Sequence, residues 1–378
     1  MVAKGWRILH LPTEVGGNGY GLSRGERAHG LRSDVLVAFG SSFGFPADRT
    51  LYTGPSANRL VYWGRRLNLV REFLGLRDAY DVYHFNFATT LLDPHGTGNL
   101  ADLPFYGRDS LKVFTFNGCD ARQKYPTMRR CDYSACHQED CYGGVCNDGK
   151  RDAHRARRIR KVDRYADLIF ALNPDLFWTL PERTEFLPYT ISTWDRLAER
   201  TPAASGPLHV VHAPSNRACK GSGAVIGVME RLARESGGRI RFTLVENISN
   251  DEALRIYARA DLLIDQLYVG WYGAIAVEAM KMGVPVLSFI RDEDLRFIPT
   301  GMARDCRELF SPVTVDTLEP VLRTIFDTPG ELRRTAGKAL DYVHAWHDPA
   351  KVARTVLDRY EAAFAAKSGR QPYRSEGV

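Results

Sequence analysis

HAPSNRACKG (212–221) and DLLIDQLYVGWYGAIAVEAMKMGVPVLSF (261–289) are the two stretches whose reading decides the fold. The first sets Arg217 and Lys220 between an apolar strand and a helix-like run. The second runs strand, glycine-aromatic turn, helix carrying Glu278, then strand again. A strand that feeds a helix and then another strand is the unit of a parallel sheet, and such sheets bind ligands outside the carboxyl ends of their strands. Two of these crossings side by side place two cations, a helix N-terminus and one carboxylate around a single crevice. That set suits a diphosphate and a ribose.

The same alternation extends in both directions. Strand-like runs occur at 7–12, 34–39, 81–87, 111–117, 167–172 and 184–189, with helix-like runs such as 65–76 and 154–165 between them. A polar stretch rich in Pro, Ala, Ser and Gly over 192–207 has the composition of an interdomain linker. Further strands follow at 208–214, 239–245, 261–265 and 284–289. The expected architecture is α/β: two Rossmann-like domains (1–191 and 208–348) with a cleft between them. Residues 349–367 form an amphipathic helix with Val352, Val356, Leu357, Tyr360 and Phe364 near helical spacing. The polar residues 368–378 are expected to be a disordered tail.

Composition narrows the function classes. A chain of 378 residues with 44% hydrophobic and 25% charged residues is an ordinary globular protein of two to three domains. Its net charge of +6 fits anionic ligands or an anionic membrane surface and is too small to argue for nucleic acid. No apolar run approaches the roughly 18 residues of a membrane span, and the first twelve residues lack a signal-peptide core. A cytoplasmic protein is expected, with contact at the inner membrane face as an option.

Several local patterns carry chemistry, each with a plainer alternative. Arg217 and Lys220, followed by small residues, form an anion-binding turn or a solvated basic loop. Glu278, set among Ala, Val and Met on its helix, needs a partner: a ribose diol, a salt bridge or a loop cap. Gly16, Gly17 and Asn18 follow the first strand in a run that is not GxGxxG, because position 22 is Leu. Cys131, Cys136, Cys141 and Cys146 are spaced C-x4-C-x4-C-x4-C within a Cys-rich insertion (119–150). Four thiolates so arranged suit a structural zinc, two disulfides or free thiols, with His137 as a substitute ligand. Cys119, Cys219 and Cys306 read as isolated small residues. Residues 150–164 hold eight Lys and Arg, which suits an anionic membrane surface, an anionic acceptor or a solvated face. His84 and His95 are candidates for the cleft, and Asp292-Glu293-Asp294 reads as a chance D-x-D.

The order strand, R-x-x-K-G, strand, G-aromatic-x-G, helix with Glu, G-V-P-V strand resembles the donor half of GT-B glycosyltransferases, specifically glycosyltransferase family 4. The resemblance covers most of 207–365 and, more loosely, the first domain. It implies a nucleotide-sugar donor (UDP- or GDP-linked), transfer of a hexosyl or related group with retention, and no catalytic metal. It further implies that residues 349–367 cross back onto the first domain. By the resemblance, Arg217 and Lys220 hold the diphosphate, Glu278 the ribose, and Gly16, Gly17 and Asn18 approach the donor phosphate. The family's E-x7-E pattern is broken here, because Gly270 stands at the first Glu. Asp265, Gln266, Trp271 and Tyr272 are the residues at hand to take over part of that role, and the helix that starts after Gly273 turns its dipole to the diphosphate. In LKVFTFNGCDAR (111–122), Asn117 stands where the family commonly has His, with Asp120 close behind. The implied catalytic set is therefore Lys220, Arg217, Asn117 and Asp120, acting on a glycan, lipid-linked or small-molecule acceptor. A binding protein that has lost catalysis and a nucleotide-sugar epimerase of the same shape are the competing readings.

Overall fold

The computed structural model describes residues 5–54, 58–200 and 206–368. In chain order the first half contains β1 (Arg7–Leu11), α1 (Asn18–Ala28), β2 (Arg32–Phe39), β3 (Arg49–Tyr52), α2 (Arg59–Leu76), β4 (Val82–Asn86) and β5 (Leu111–Phe116). It continues with α3 (Lys124–Arg130), α4 (Lys150–Tyr165), β6 (Leu168–Ala171) and β7 (Glu185–Phe186). The second half opens with β8 (Leu208–His212), α5 (Arg217–Lys220), α6 (Ser222–Glu235), β9 (Ile240–Leu244), α7 (Asn250–Tyr257) and β10 (Leu262–Gln266). It closes with α8 (Ala274–Lys281), β11 (Val286–Ser288), α9 (Thr300–Leu309), α10 (Leu318–Asp327), α11 (Pro329–Trp346) and α12 (Pro349–Ser368).

Two parallel sheets result. The first has strand order β3-β2-β1-β4-β5-β6-β7 and the second β11-β10-β8-β9. Helices cover both faces of a parallel sheet, so its central strands are apolar throughout. Accordingly β4, β5 and β10 are buried at every residue. The short β3 was not expected from the sequence; it begins with the exposed Arg49 and Thr50 at the sheet edge.

The last helix returns to the first domain. Gly25 on α1 lets the backbone of α12 approach closely, since a Cβ at that position would lie 2.0 Å from the Pro349 carbonyl oxygen. Tyr360 reaches the buried His84, with its hydroxyl 2.8 Å from Nδ1. Lys367 closes the far end on Asp167 at 3.0 Å. Below Tyr360, Glu26 accepts from Ser33 Oγ (2.6 Å) and lies 2.8 Å from His10 Nε2. Burial, then the neighbouring His10, pushes the His84 pKa well below its ordinary value, so the ring stays neutral. His84 is therefore a core residue and not part of the cleft.

One apolar cluster runs without a break from Ile8, Leu22 and Val82 through Ile191, Trp271 and Tyr272 to Met302, Val343 and Tyr360. Both domains and α12 thus share a core. The expected linker begins with the turn Trp194–Arg196, while 201–205 lie outside the described residues. Of the expected tail, 369–378 also lie outside them. Among the described residues no helix is long and apolar enough to cross a membrane.

Candidate active site

The carboxyl ends of β1, β4, β5, β8 and β10 open onto a cleft with two adjoining cavities of about 620 Å3 each. Val15, Phe87, Asn117, Lys220 and Gly273 belong to the walls of both, so these residues mark the junction.

The junction is organised by Asp265, at the end of β10. Its Oδ1 lies 2.6 Å from Lys220 Nζ, and its Oδ2 accepts the Gly273 N–H at 2.7 Å. Gly273 is the N-cap of α8 and makes no side-chain cap of its own. One buried carboxylate therefore fixes both a cation and the first donor of a helix whose dipole favours anions. On the other side of the junction, the Asn117 carbonyl oxygen Oδ1 accepts the Phe87 N–H at 3.0 Å. Phe87 and Ala88 are held at positive φ (56° and 45°), in the left-handed region that costs non-glycine residues about 1 kcal/mol or more. With Oδ1 engaged, the Asn117 side chain offers its amide N–H groups as donors.

The cavity on the second-domain side is acidic. Glu278 is 3% exposed and makes no ion pair among the described residues; it accepts from Thr193 Oγ1 (3.3 Å) and Asn250 Nδ2 (3.1 Å). Burial pushes its pKa up to about 7 against these two hydrogen bonds. Glu14 lines the same cavity, caps α1 by accepting from the Gly19 and Tyr20 N–H groups (3.1 Å each), and is pushed up to about 8 by burial. Glu246 completes the acidic set. His95, at the rim of both cavities, stacks on Phe39 with ring centroids 4.5 Å apart.

The cavity on the first-domain side is cationic. Arg122, Lys124, Arg151, Arg155, Arg158 and Lys220 line it, against Asp120 as its one carboxylate. Arg122 is neutralised by Asp175 (2.6 Å) and Arg158 by Asp93. Lys124 is not: it is 7% exposed, and its ammonium is met by the neutral Asn147 Oδ1 at 2.6 Å. Arg151 makes no ion pair among the described residues. Arg155 lies 3.6 Å from Asp152, whose oxygens already accept the Lys124 and Tyr125 N–H groups. Asp120 accepts from the Asn117 and Gly118 N–H groups at 3.1 and 2.7 Å, and burial pushes its pKa up to about 6.

Several expected residues are placed differently. Arg217 is exposed and bound to Glu246 (2.8 and 2.5 Å), outside the walls of both cavities. Gly16 lines the acidic cavity and abuts Ala274, but Gly17 caps α1 and the Asn18 side chain accepts the Thr190 N–H at 3.0 Å. Asn18 therefore joins two segments through its side-chain oxygen. Trp271 and Tyr272 skirt the cationic cavity, yet their rings stack on each other at 4.3 Å inside the shared core. The Tyr272 hydroxyl is spent on Tyr342 (2.7 Å) and His347 (2.9 Å). Gln266 is equally consumed, because its amide closes the 268–271 turn through both oxygen and nitrogen. At Gly270 (φ +88°) a Cβ would lie 2.5 Å from the Arg291 guanidinium, so a larger residue there would require that arginine to move.

The cysteine expectation is also corrected. Cys131 turns back to donate to the Thr127 carbonyl (3.2 Å), and Cys146 accepts from Arg155 (3.3 Å). Cys136 and Cys141 instead face Cys119 and Cys219, residues that spacing alone set apart. The turns Ala135–His137 and Cys141–Gly144, with Tyr142 and Gly143 at positive φ, spread the four loop thiols, and they do not converge as a tetrahedral zinc site requires. His137 is turned to Ser134, with its Nδ1 3.0 Å from the hydroxyl. All seven cysteines are free. Cys141 and Cys219 are close enough across the cleft to shift one another's titration, with the Cys141 thiol pushed up and that of Cys219 pulled down. Asp292 is paired with Arg307, while Asp294 is buried between Arg130, Trp178 and Arg291. Asp294 thus bridges the domains through Arg130 and Trp178.

Comparison with known proteins fits this geometry. No family model matches the chain. A curated relative, the MMP alpha-(1->4)-mannosyltransferase of Mycolicibacterium hassiacum, is 32% identical over 144 residues, which is 37% of this chain and 33% of that protein. The chain thus spans about a third of the length of the curated relative it matches. Sucrose-phosphate synthase from Thermosynechococcus elongatus superposes with a TM-score of 0.62 at 16% identity, over 95% of this chain and all of the other. HepE from Anabaena, solved with UDP-glucose, gives 0.59 at 13% identity over 94% of this chain and all of the other. A UDP-GlcNAc 2-epimerase from Neisseria meningitidis, bound to UDP-GlcNAc, gives 0.51 at 12% identity over 95% and 99%. These likenesses define the fold: two Rossmann-like domains of GT-B type with a crossover C-terminal helix.

Proposed function

We propose that this protein is a glycosyltransferase that moves a hexosyl or related group from a UDP- or GDP-sugar to an acceptor hydroxyl, with retention and without a catalytic metal. The observation that carries the reading is the Asp265 junction, where Lys220 and the α8 N-terminus are fixed side by side between a carboxyl-lined cavity and one lined by cations. In this reading the nucleoside occupies the acidic cavity, where Glu278 accepts from the ribose hydroxyls. The diphosphate lies at the junction. The transferred sugar points toward Asn117, and the acceptor enters the cationic cavity.

The chemical problem is to separate a diphosphate from an oxocarbenium-like sugar. Lys220 and the Gly273 end of α8 meet the charge that grows on the leaving phosphate. Fixed donors of this kind are worth roughly 3–4 kcal/mol each in other enzymes. Asn117 donates a hydrogen bond to the sugar and cannot titrate, so the departing phosphate takes the acceptor proton. Asp120 acts by fixing the Asn117–Gly118 turn. Arg217 joins the diphosphate only by exchanging Glu246 for phosphate oxygens. The uncompensated Lys124, with Arg151 and Arg155, favours an acceptor that carries an anionic group.

The test is a thermal-shift screen of nucleoside diphosphates and nucleotide sugars, followed by product analysis with and without acceptor. Transfer predicts a raised melting temperature with UDP or GDP and diphosphate release that acceptor accelerates. An isomerised nucleotide sugar in the absence of acceptor would mean an epimerase. Tight donor binding with no turnover across an acceptor panel would mean a binding protein.

A further inference from the structure

Helix α2 presents an apolar stripe to solvent. Leu60, Trp63, Leu67, Val70 and Leu74 follow a strict three-four spacing, which puts them on one face of a helix. Leu60 is 83% exposed, Leu67 72% and Trp63 60%, values far from those of a core face. The core-facing side of the same helix is a separate set, led by the buried Leu69 and Phe73. This is therefore a helix with two apolar faces, of which only one is covered. A contiguous exposed apolar surface of this kind marks an interaction site.

The charges around the stripe select the partner. Arg59 and Arg66 border it on one side and Arg71 on the other, while Glu72, the one acidic residue of the helix, points away and is bound to Arg49 at 2.5 Å. A second copy of the helix laid against the stripe would bring arginines against arginines, which is repulsive. Apolar residues with a Trp at their centre, rimmed by arginines, match instead an anionic bilayer surface. There the apolar face enters the acyl boundary, the indole sits at headgroup level, and the guanidiniums meet lipid phosphates. Helix α4, whose sequence is richer in cations, is the poorer candidate: its Ile159 and Val162 are core residues, Arg158 is buried on Asp93, and its first two turns line the cationic cavity. The α2 stripe lies beside that cavity, since Arg66 donates to the Leu92 carbonyl (2.9 Å), three residues from the cavity-lining His95.

We infer that the outer face of α2 docks the protein on an anionic membrane surface. The inference stands apart from the catalytic reading, because no cleft residue takes part in it. It is tested by co-sedimentation of the full chain with phosphatidylcholine vesicles, with and without phosphatidylglycerol. Wild type pellets with the anionic vesicles, Leu67→Glu loses binding by tenfold or more, and Arg71→Gln weakens it by about fivefold. Leu67→Glu keeps the wild-type melting temperature, since the side chain is exposed. Arg157→Glu on α4 binds like wild type. Wild type that stays in the supernatant, or Leu67→Glu that pellets equally, overturns the inference. So does a wild-type dimer in solution that Leu67→Glu dissociates, which would assign the stripe to a protein partner.

Discussion

The two cavities of the cleft have the same volume and opposite chemistry. The acidic one is walled by Glu14, Glu246 and Glu278, whose N–H, hydroxyl, amide and guanidinium partners hold them in place. The cationic one is walled by arginines and lysines, of which Lys124 and Arg151 make no ion pair among the described residues. Hydroxyl-rich ligands satisfy carboxylates by donating to them, and anions satisfy ammonium and guanidinium groups. Under the proposed reading the nucleoside takes the carboxyl-lined cavity and the acceptor the cationic one, with Lys220 in the walls of both.

The largest effect is expected where the cavities meet. Lys220→Ala removes the fixed cation and leaves Asp265 unpaired, and should lower kcat by roughly 10^2- to 10^3-fold while weakening nucleoside diphosphate binding. Normal turnover in that variant would remove the junction from the mechanism. Next comes Lys124→Gln, expected to raise the acceptor KM about tenfold and leave the diphosphate Kd unchanged. If calorimetry shows the diphosphate Kd moving instead, the cationic cavity serves the donor and the division of labour fails.

A smaller effect concerns Glu278. Its carboxyl is protonated more readily in the fold than in the unfolded chain, where its pKa is about 4.5. The native state therefore holds the extra proton as pH rises from about 4.5 to about 7, and the stability owed to this group falls across that window. Glu278→Gln should flatten the decline in melting temperature relative to wild type over the same range. An identical pH profile in the two proteins would place the carboxylate in water. The smallest effect is ionic: added salt should weaken acceptor binding more than nucleoside binding, because screening acts on exposed cations such as Arg151.

Much of this was legible in the sequence, for reasons that differ by residue. Buried parallel strands announce themselves as apolar runs, so β1, β4, β5, β8 and β10 fell where expected. Lys220 and Glu278 fall on the cleft walls because each lies within a turn or so of a strand's carboxyl end, where the chain enters a helix. The side-chain contacts of Asn18 and Tyr272 were not legible because their partners (Thr190, Tyr342 and His347) lie far away in the chain. The thiols failed for the same reason: Cys141 also meets Cys119 and Cys219, which lie outside the four-cysteine run. Nor can periodicity tell which side of an amphipathic helix meets water, and so the outward stripe of α2 stayed hidden. The Lys124–Asn147 contact, a buried cation without an anion, has no sequence signature at all.

The returning helix α12 has a consequence for how the protein comes to exist. The face of α1 around Gly25 and the polar network of His10, Glu26 and His84 remain uncovered until Pro349, Tyr360 and Lys367 arrive. During vectorial synthesis the amino-terminal half therefore waits on the ribosome with an unsealed core while the other half emerges. Removing residues 349–368 should leave a nascent first domain that engages chaperones or aggregates, and supplying that helix as a separate peptide should rescue it.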